Sequence, residues 1–74
     1  MPGANVTGQV IQQVREEQKK SQEVVSGLAG IGRTHLSAIE RGERRPTLET
    51  FWKISEAVNM KPSVWLARIE DTIK

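Results

Sequence analysis

The sequence predicts an all-α fold, a compact bundle of about five short helices. Three observations carry that expectation. Apolar residues recur at i, i+3 and i+4 in successive segments. No segment alternates with the period of two that a half-buried strand shows. The segments are also separated by residues that start or stop helices. At 74 residues the chain makes one small domain. A domain of this size buries only about 60% of the surface its unfolded chain exposes, so its core is modest.

Met1–Val6 shows no pattern and reads as a flexible N-terminal arm, with the folded domain spanning 7–74. The arm holds no Arg or Lys to insert into a minor groove. Thr7 is a plausible N-cap for a first helix whose stripe is Val10, Ile11 and Val14, ending in Gln18-Lys19-Lys20. Ser21 is the second N-cap candidate, and Val25, Leu28 and Ala29 repeat the helical spacing. Gly30 supplies the left-handed residue that ends this helix. A third helix begins at about Arg33 and runs to Glu40 or Arg41, with Gly42 at its end. Glu43 to Pro46 is a loop, since a residue before proline is pushed out of the helical region. Thr47 caps a fourth helix carrying Leu48, Phe51, Ile54 and Val58, with Asn59 as its left-handed stop. Pro62 and Ser63 open a fifth, with Val64, Leu66 and Ile69 and then Ile73 as its apolar residues.

Composition narrows the function. The chain has no cysteine, so it can form neither a disulfide nor a thiolate zinc site. No apolar run reaches the roughly 18 residues of a membrane span. MPGANVTG lacks the charged start and apolar middle of a signal peptide, so the expected location is cytoplasmic. The net charge of +2 is unevenly placed: residues 19–45 hold six bases against three acids, whereas residues 46–74 hold four of each. A basic patch confined to the middle third suits a phosphate-binding surface.

His35 is the only histidine, and no cluster of acids or cysteines joins it as a metal site. No nucleophile stands beside a base, and Gly27, Gly30 and Gly32 follow no strand, so they form no dinucleotide fingerprint. The expectation is therefore a non-enzyme with no cofactor, no metal and no small-molecule ligand.

The informative stretch is GIGRTHLSAIERGERRP, Gly30 to Pro46. The second helix, a short turn at Gly30–Gly32 and the third helix make a helix-turn-helix. On a wheel of about 100° per residue, Leu36, Ile39 and Glu40 share one side of the third helix. Thr34, Ser37, Ala38 and Arg41 share the other, with Arg33 at the N-terminal edge. The outward residues include no carboxylate to repel phosphates. Their small size would let the helix approach base edges in a major groove, which admits one α-helix.

These residues resemble the Cro/phage-repressor (XRE-like) class of helix-turn-helix DNA-binding domains, found in bacterial, phage and plasmid regulators. The resemblance runs from about Ile11 to Leu66. It rests on Ser21-Gln22, Ala29-Gly30-Ile31, Leu36, Ile39-Glu40-Arg41-Gly42, Pro46 and Leu48 at the family's spacing. It implies a lambda-repressor-like bundle and roles for particular positions. Gln22 resembles the glutamine that contacts a phosphate and braces the recognition helix. Arg33, Thr34, Ser37 and Ala38 match base-facing positions, and His35, Arg41, Arg44 and Arg45 match positions where backbone contacts are usual. Arg15 and Glu40 match a pair that forms a partly buried salt bridge between the first and third helices. Three positions depart from the pattern. Ser26 replaces the usual alanine, Gly27 costs about 1 kcal/mol in a helix interior, and Gly32 stands where serine or threonine often caps the recognition helix.

Trp52 and Trp65, with Ile69, are candidates for a dimer interface, because tryptophan is enriched at interfaces. Packing within the monomer is the competing reading for the tryptophans. The function that follows is a sequence-specific, double-stranded DNA-binding regulator, expected as a repressing homodimer on an inverted repeat. The alternative is a protein-interaction or antitoxin-like adaptor that keeps the fold.

Overall fold

The computed structural model describes residues 4–73 and holds five helices in the order α1 (Ala4–Glu17), α2 (Gln22–Ala29), α3 (Arg33–Glu40), α4 (Leu48–Ala57) and α5 (Pro62–Thr72). The expected starts of α2, α4 and α5 are seen. The Ser21 hydroxyl accepts from the Val24 amide and the Thr47 hydroxyl from the Thr50 amide. Pro62 occupies the first turn of α5, where its missing N–H costs no hydrogen bond.

The first four helices end in one motif. A left-handed residue follows each, namely Lys19, Gly30, Gly42 and Asn59. The amide after it reaches back five residues: Lys20 to the Arg15 carbonyl, Ile31 to Ser26, Glu43 to Ala38 and Met60 to Ser55. These bonds pair carbonyls that a helix end otherwise leaves open. Lys19 does this without glycine's conformational freedom, at a cost that the sequence does not advertise.

The core gathers Val10, Ile11 and Val14 of α1, Val25 and Ala29 of α2, and Leu36 and Ile39 of α3. Phe51, Ile54, Ala57 and the following Val58 join from α4, and Trp65 and Ile69 from α5. Two polar ties fasten the α1–α2 turn to the end of α4. Gln18 Nε2 donates to the Val58 carbonyl at 2.8 Å and Lys20 Nζ to the Ala57 carbonyl at 3.3 Å. A lysine ammonium at a helix C-terminus also complements its dipole. Arg68 of α5 pairs with Glu17 of α1, and the guanidinium holds the Glu17 carboxyl below its ordinary range.

Several expectations need correction. Helix α1 begins at Ala4, not Thr7, so Ala4–Val6 belong to the helix and Thr7 lies inside it; Met1–Gly3 of the expected arm lie outside the described residues. Trp65 and Ile69 are not free for a partner. Trp65 is fully buried and meets Phe51 edge-on, with ring centroids 5.7 Å apart, and Ile69 is buried beside the same core. The Trp65 indole nitrogen has no hydrogen-bond partner among the described residues. Of the three proposed interface residues only Trp52 is exposed, at 51%. Leu28, Leu48, Val64, Leu66 and Ile73 were expected on core stripes, and all are exposed. Their helical spacing is right and their facing is not.

Gly8 lets α1 lie close against the end of α3. A Cβ there would lie 2.3 Å from the Ile39 carbonyl oxygen and 2.7 Å from that of Glu40. Both are backbone atoms at the end of α3, so neither can swing aside. Gly8→Ala should therefore force α1 away from α3. The expected loss is about 1–3 kcal/mol, which lowers the melting temperature of a domain this size by roughly 4–8 °C for each kcal/mol. Gly27→Ala should do the reverse. A Cβ at Gly27 meets nothing within 4 Å, and alanine is favoured over glycine in a helix by about 1 kcal/mol. Thermal melts of the two variants check both signs.

Candidate nucleic-acid interface

The candidate recognition segment is α3, only eight residues long, or two turns. Such a helix has little stability of its own and takes its orientation from what it packs on. Leu36 and Ile39 are fully buried, and α3 rests on α1 and α2. The third inward residue, Glu40, is a carboxylate at the C-terminal end of the helix, where the dipole disfavours it. Three donors offset that cost. Arg15 Nε donates to Glu40 Oε2 at 2.8 Å, Arg15 Nη2 to Glu40 Oε1 at 2.9 Å, and Gln22 Nε2 to Glu40 Oε1 at 3.0 Å. A fourth bond runs from Arg15 Nη1 to the Lys20 carbonyl at 2.9 Å. The carboxylate side chain is 2% exposed and the guanidinium 12%. The hydrogen bond that Arg15 donates to Glu40 raises the Arg15 pKa above its ordinary value, although burial opposes it.

This geometry fastens three helices at one point. The Arg15–Glu40 pair has the place expected of it, and Gln22 braces the end of α3. The second N–H of the Gln22 amide has no partner among the described residues, and it lies at the first residue of α2. A helix N-terminus there also presents backbone amides to an anion.

The outer half of α3 carries Arg33 and Thr34, both exposed, and Ser37, Ala38 and His35, half-buried. Gly32 precedes them without a side-chain cap, so the first amides of α3 receive no side-chain acceptor from it. After α3 the chain turns through Gly42 at φ 79°. The Glu43 and Arg44 amides both return to the Ala38 carbonyl, at 2.9 and 3.3 Å. This places Arg44 and Arg45 beside the helix end, exposed. Arg41, read from the sequence as a free backbone contact, is engaged. It donates to Ser37 Oγ and pairs with the Glu43 carboxylate. Glu43, in the loop after α3, is brought beside Arg41 by the turn. Among the described residues no three His, Cys, Asp or Glu side chains are grouped to hold a metal ion. Among those residues no helix is long and apolar enough to cross a membrane.

Comparison with known proteins agrees with this arrangement. A family model described as helix-turn-helix matches residues 11–66. The chain is 38% identical over 56 residues to the control protein C.BamHI of Bacillus amyloliquefaciens, covering 74% of this chain and 69% of that one. It is 31% identical over 55 residues to the uncharacterised HTH-type transcriptional regulator y4dJ of Sinorhizobium fredii, covering 74% and 71%. Among solved structures it resembles the restriction-modification controller protein C.AhdI of Aeromonas hydrophila. That likeness has a TM-score of 0.81 at 27% identity and covers 84% of this chain and 94% of that one.

Removing one partner of a buried pair leaves the other charge uncompensated, which costs about 3–5 kcal/mol. Glu40→Ala should therefore unfold much of the population at 37 °C or lower the denaturation midpoint sharply. Gln22→Ala removes one of three donors and should cost far less. Chemical denaturation of both variants tests this ranking.

Proposed function

The chain belongs to the helix-turn-helix family, and from that premise we propose that it is a sequence-specific, double-stranded DNA-binding transcriptional regulator. The carrying observation is the division of α3. Its inner half is locked by Leu36, Ile39 and Glu40, while its outer half exposes Arg33 and Thr34 beside the half-buried Ala38. Arg33 has the forked donors that pair with guanine O6 and N7, and Thr34 and Ala38 are small enough to let the helix enter a major groove. Gln22 and the N-terminus of α2, with His35, Arg44 and Arg45, supply phosphate contacts that set register. Two of the three similar proteins are controllers by name, which supports a regulatory role. Repression by occupying a promoter is the simplest mode for a domain that binds DNA in this way.

The functional unit is a homodimer. Leu48 and Leu66 are 73% and 59% exposed, and with Ile73 they line a groove of about 480 Å³ between α4 and α5. Trp52 shares the Leu48 face of α4, four residues on. An apolar face of this kind on so small a domain is covered most simply by its two-fold copy. Two recognition helices would then meet half-sites about 34 Å apart on an inverted repeat.

Selection of duplexes from a randomised pool at about 150 mM salt, where non-specific binding is weak, tests the proposal. The expected product is an inverted repeat, with Arg33→Ala relaxing one base position in each half-site. Leu66→Glu should shift the protein to monomer in sedimentation and make its melting temperature independent of protein concentration. No enrichment, with Arg33→Ala changing nothing, would send the search to the α4–α5 face for a protein partner.

A further inference from the structure

The side chain of Arg41 does not sit where its sequence position suggests. Arg41 is the residue that closes α3, one turn beyond Ser37 and two beyond Thr34 on the same face. A residue at the end of a recognition helix is ordinarily placed beside the DNA backbone. Here the side chain runs back along the helix, and Nη1 donates to Ser37 Oγ. The guanidinium therefore lies over the middle of the outer face. Glu43 grips its opposite edge: Nε donates to Oε2 at 2.8 Å and Nη2 to Oε1 at 3.2 Å.

Resting on the DNA-binding reading, we propose that Arg41 is a specificity-determining residue that reads a base pair, and that Glu43 and Ser37 are the positioning residues that aim it. The count of donors leads there. A guanidinium has five N–H groups. Glu43 takes the one on Nε and one on Nη2, and Ser37 takes one on Nη1. One N–H remains on each terminal nitrogen, the two-donor set that guanine O6 and N7 accept together. Held at both sides, this fork loses little freedom on binding.

The charge balance points the same way. The Arg41–Glu43 pair is neutral, and each partner favours the charged form of the other. The guanidinium holds the Glu43 carboxyl below its ordinary range, and the carboxylate raises Arg41. A neutral pair adds nothing to long-range attraction for phosphates, and a carboxylate close to a phosphate is repelled. It does add direction. Glu43 itself is positioned by the backbone: its amide bonds the Ala38 carbonyl, and Gly42 before it turns at positive φ against Asn5 of α1. Ser37, expected to touch a base, acts instead through Arg41.

The test compares wild type, Arg41→Ala, Arg41→Lys, Glu43→Gln and Ser37→Ala against the selected operator and all its single-base-pair variants, over a range of salt. The expected result is that Arg41→Ala and Glu43→Gln relax the same position in each half-site by about tenfold. Arg41→Lys should not restore it, because an ammonium has no fork. Ser37→Ala should relax that position less, and no other. Uniform weakening across all sequences by Arg41→Ala, with a salt slope smaller by about one and uniform tightening by Glu43→Gln, would make Arg41 a phosphate contact and overturn the proposal. If wild type selects an operator and every variant keeps its base preferences, this proposal alone fails. If wild type selects none, the DNA-binding reading fails and this inference with it. Arg41 and Glu43 are both exposed, so thermal melts should confirm that the variants remain folded.

Discussion

Three helices are pinned together where the Glu40 carboxylate meets Arg15 and Gln22. Taking a carboxylate and a guanidinium out of water costs several kcal/mol for each ion, and close geometry with satisfied hydrogen bonds is needed to offset it. Both conditions hold here. The carboxylate accepts three bonds from two side chains, and the arginine spends a fourth on the α1–α2 turn. A hydrophobic contact in the same place would add stability without fixing an angle. A bidentate arginine with a third donor fixes it, because guanidinium and carboxylate are planar and meet in few ways. For a helix of two turns, whose inner contacts are Leu36 and Ile39, this is the constraint that decides which residues face outward.

Close packing then converts that constraint into a surface. Gly8 lets α1 touch the carbonyls of Ile39 and Glu40, and the same contact sets Gly42 against Asn5. The turn through Gly42 brings Glu43 back under Ala38 and leaves Arg44 and Arg45 outside. The positive charge of the middle third is thus divided by the fold. Lys20 is spent on the end of α4, Arg41 is paired, and Arg33, Arg44 and Arg45 flank α3 in the open. On the proposed DNA-binding reading, phosphate attraction and base readout fall to different residues.

The helices, their caps and the inward side of α3 were legible because they are local. Ser21 and Thr47 cap by contacts three residues away, and Leu36, Ile39 and Glu40 follow from helical spacing alone. The pairing of Arg15 with Glu40, 25 residues apart, came from the family resemblance. What remained hidden is what depends on tertiary packing. On helices of eight to eleven residues the buried face is narrow, so Leu28, Leu48 and Leu66 keep the spacing of core residues while remaining exposed. Trp65 is open to either an interface or monomer packing until the edge-on contact with Phe51 places both inside one core. The earlier start of α1 follows from the packing of Asn5 and Gly8 against the end of α3, which no N-cap rule anticipates. The Glu43 clamp depends on a positive-φ turn that places residues 37, 41 and 43 together.

The α3 face and the α4–α5 face make opposite claims on a partner, and amide chemical shifts during titration with a selected operator duplex distinguish them residue by residue. The structure predicts that the largest changes fall at Gln22, at Arg33–Ala38 and at Arg41–Arg45, while Leu48, Trp52 and Leu66 stay nearly still. Changes concentrated at Leu48, Trp52 and Leu66, with the α3 signals unmoved, would contradict it and assign the functional surface to the other side of the domain.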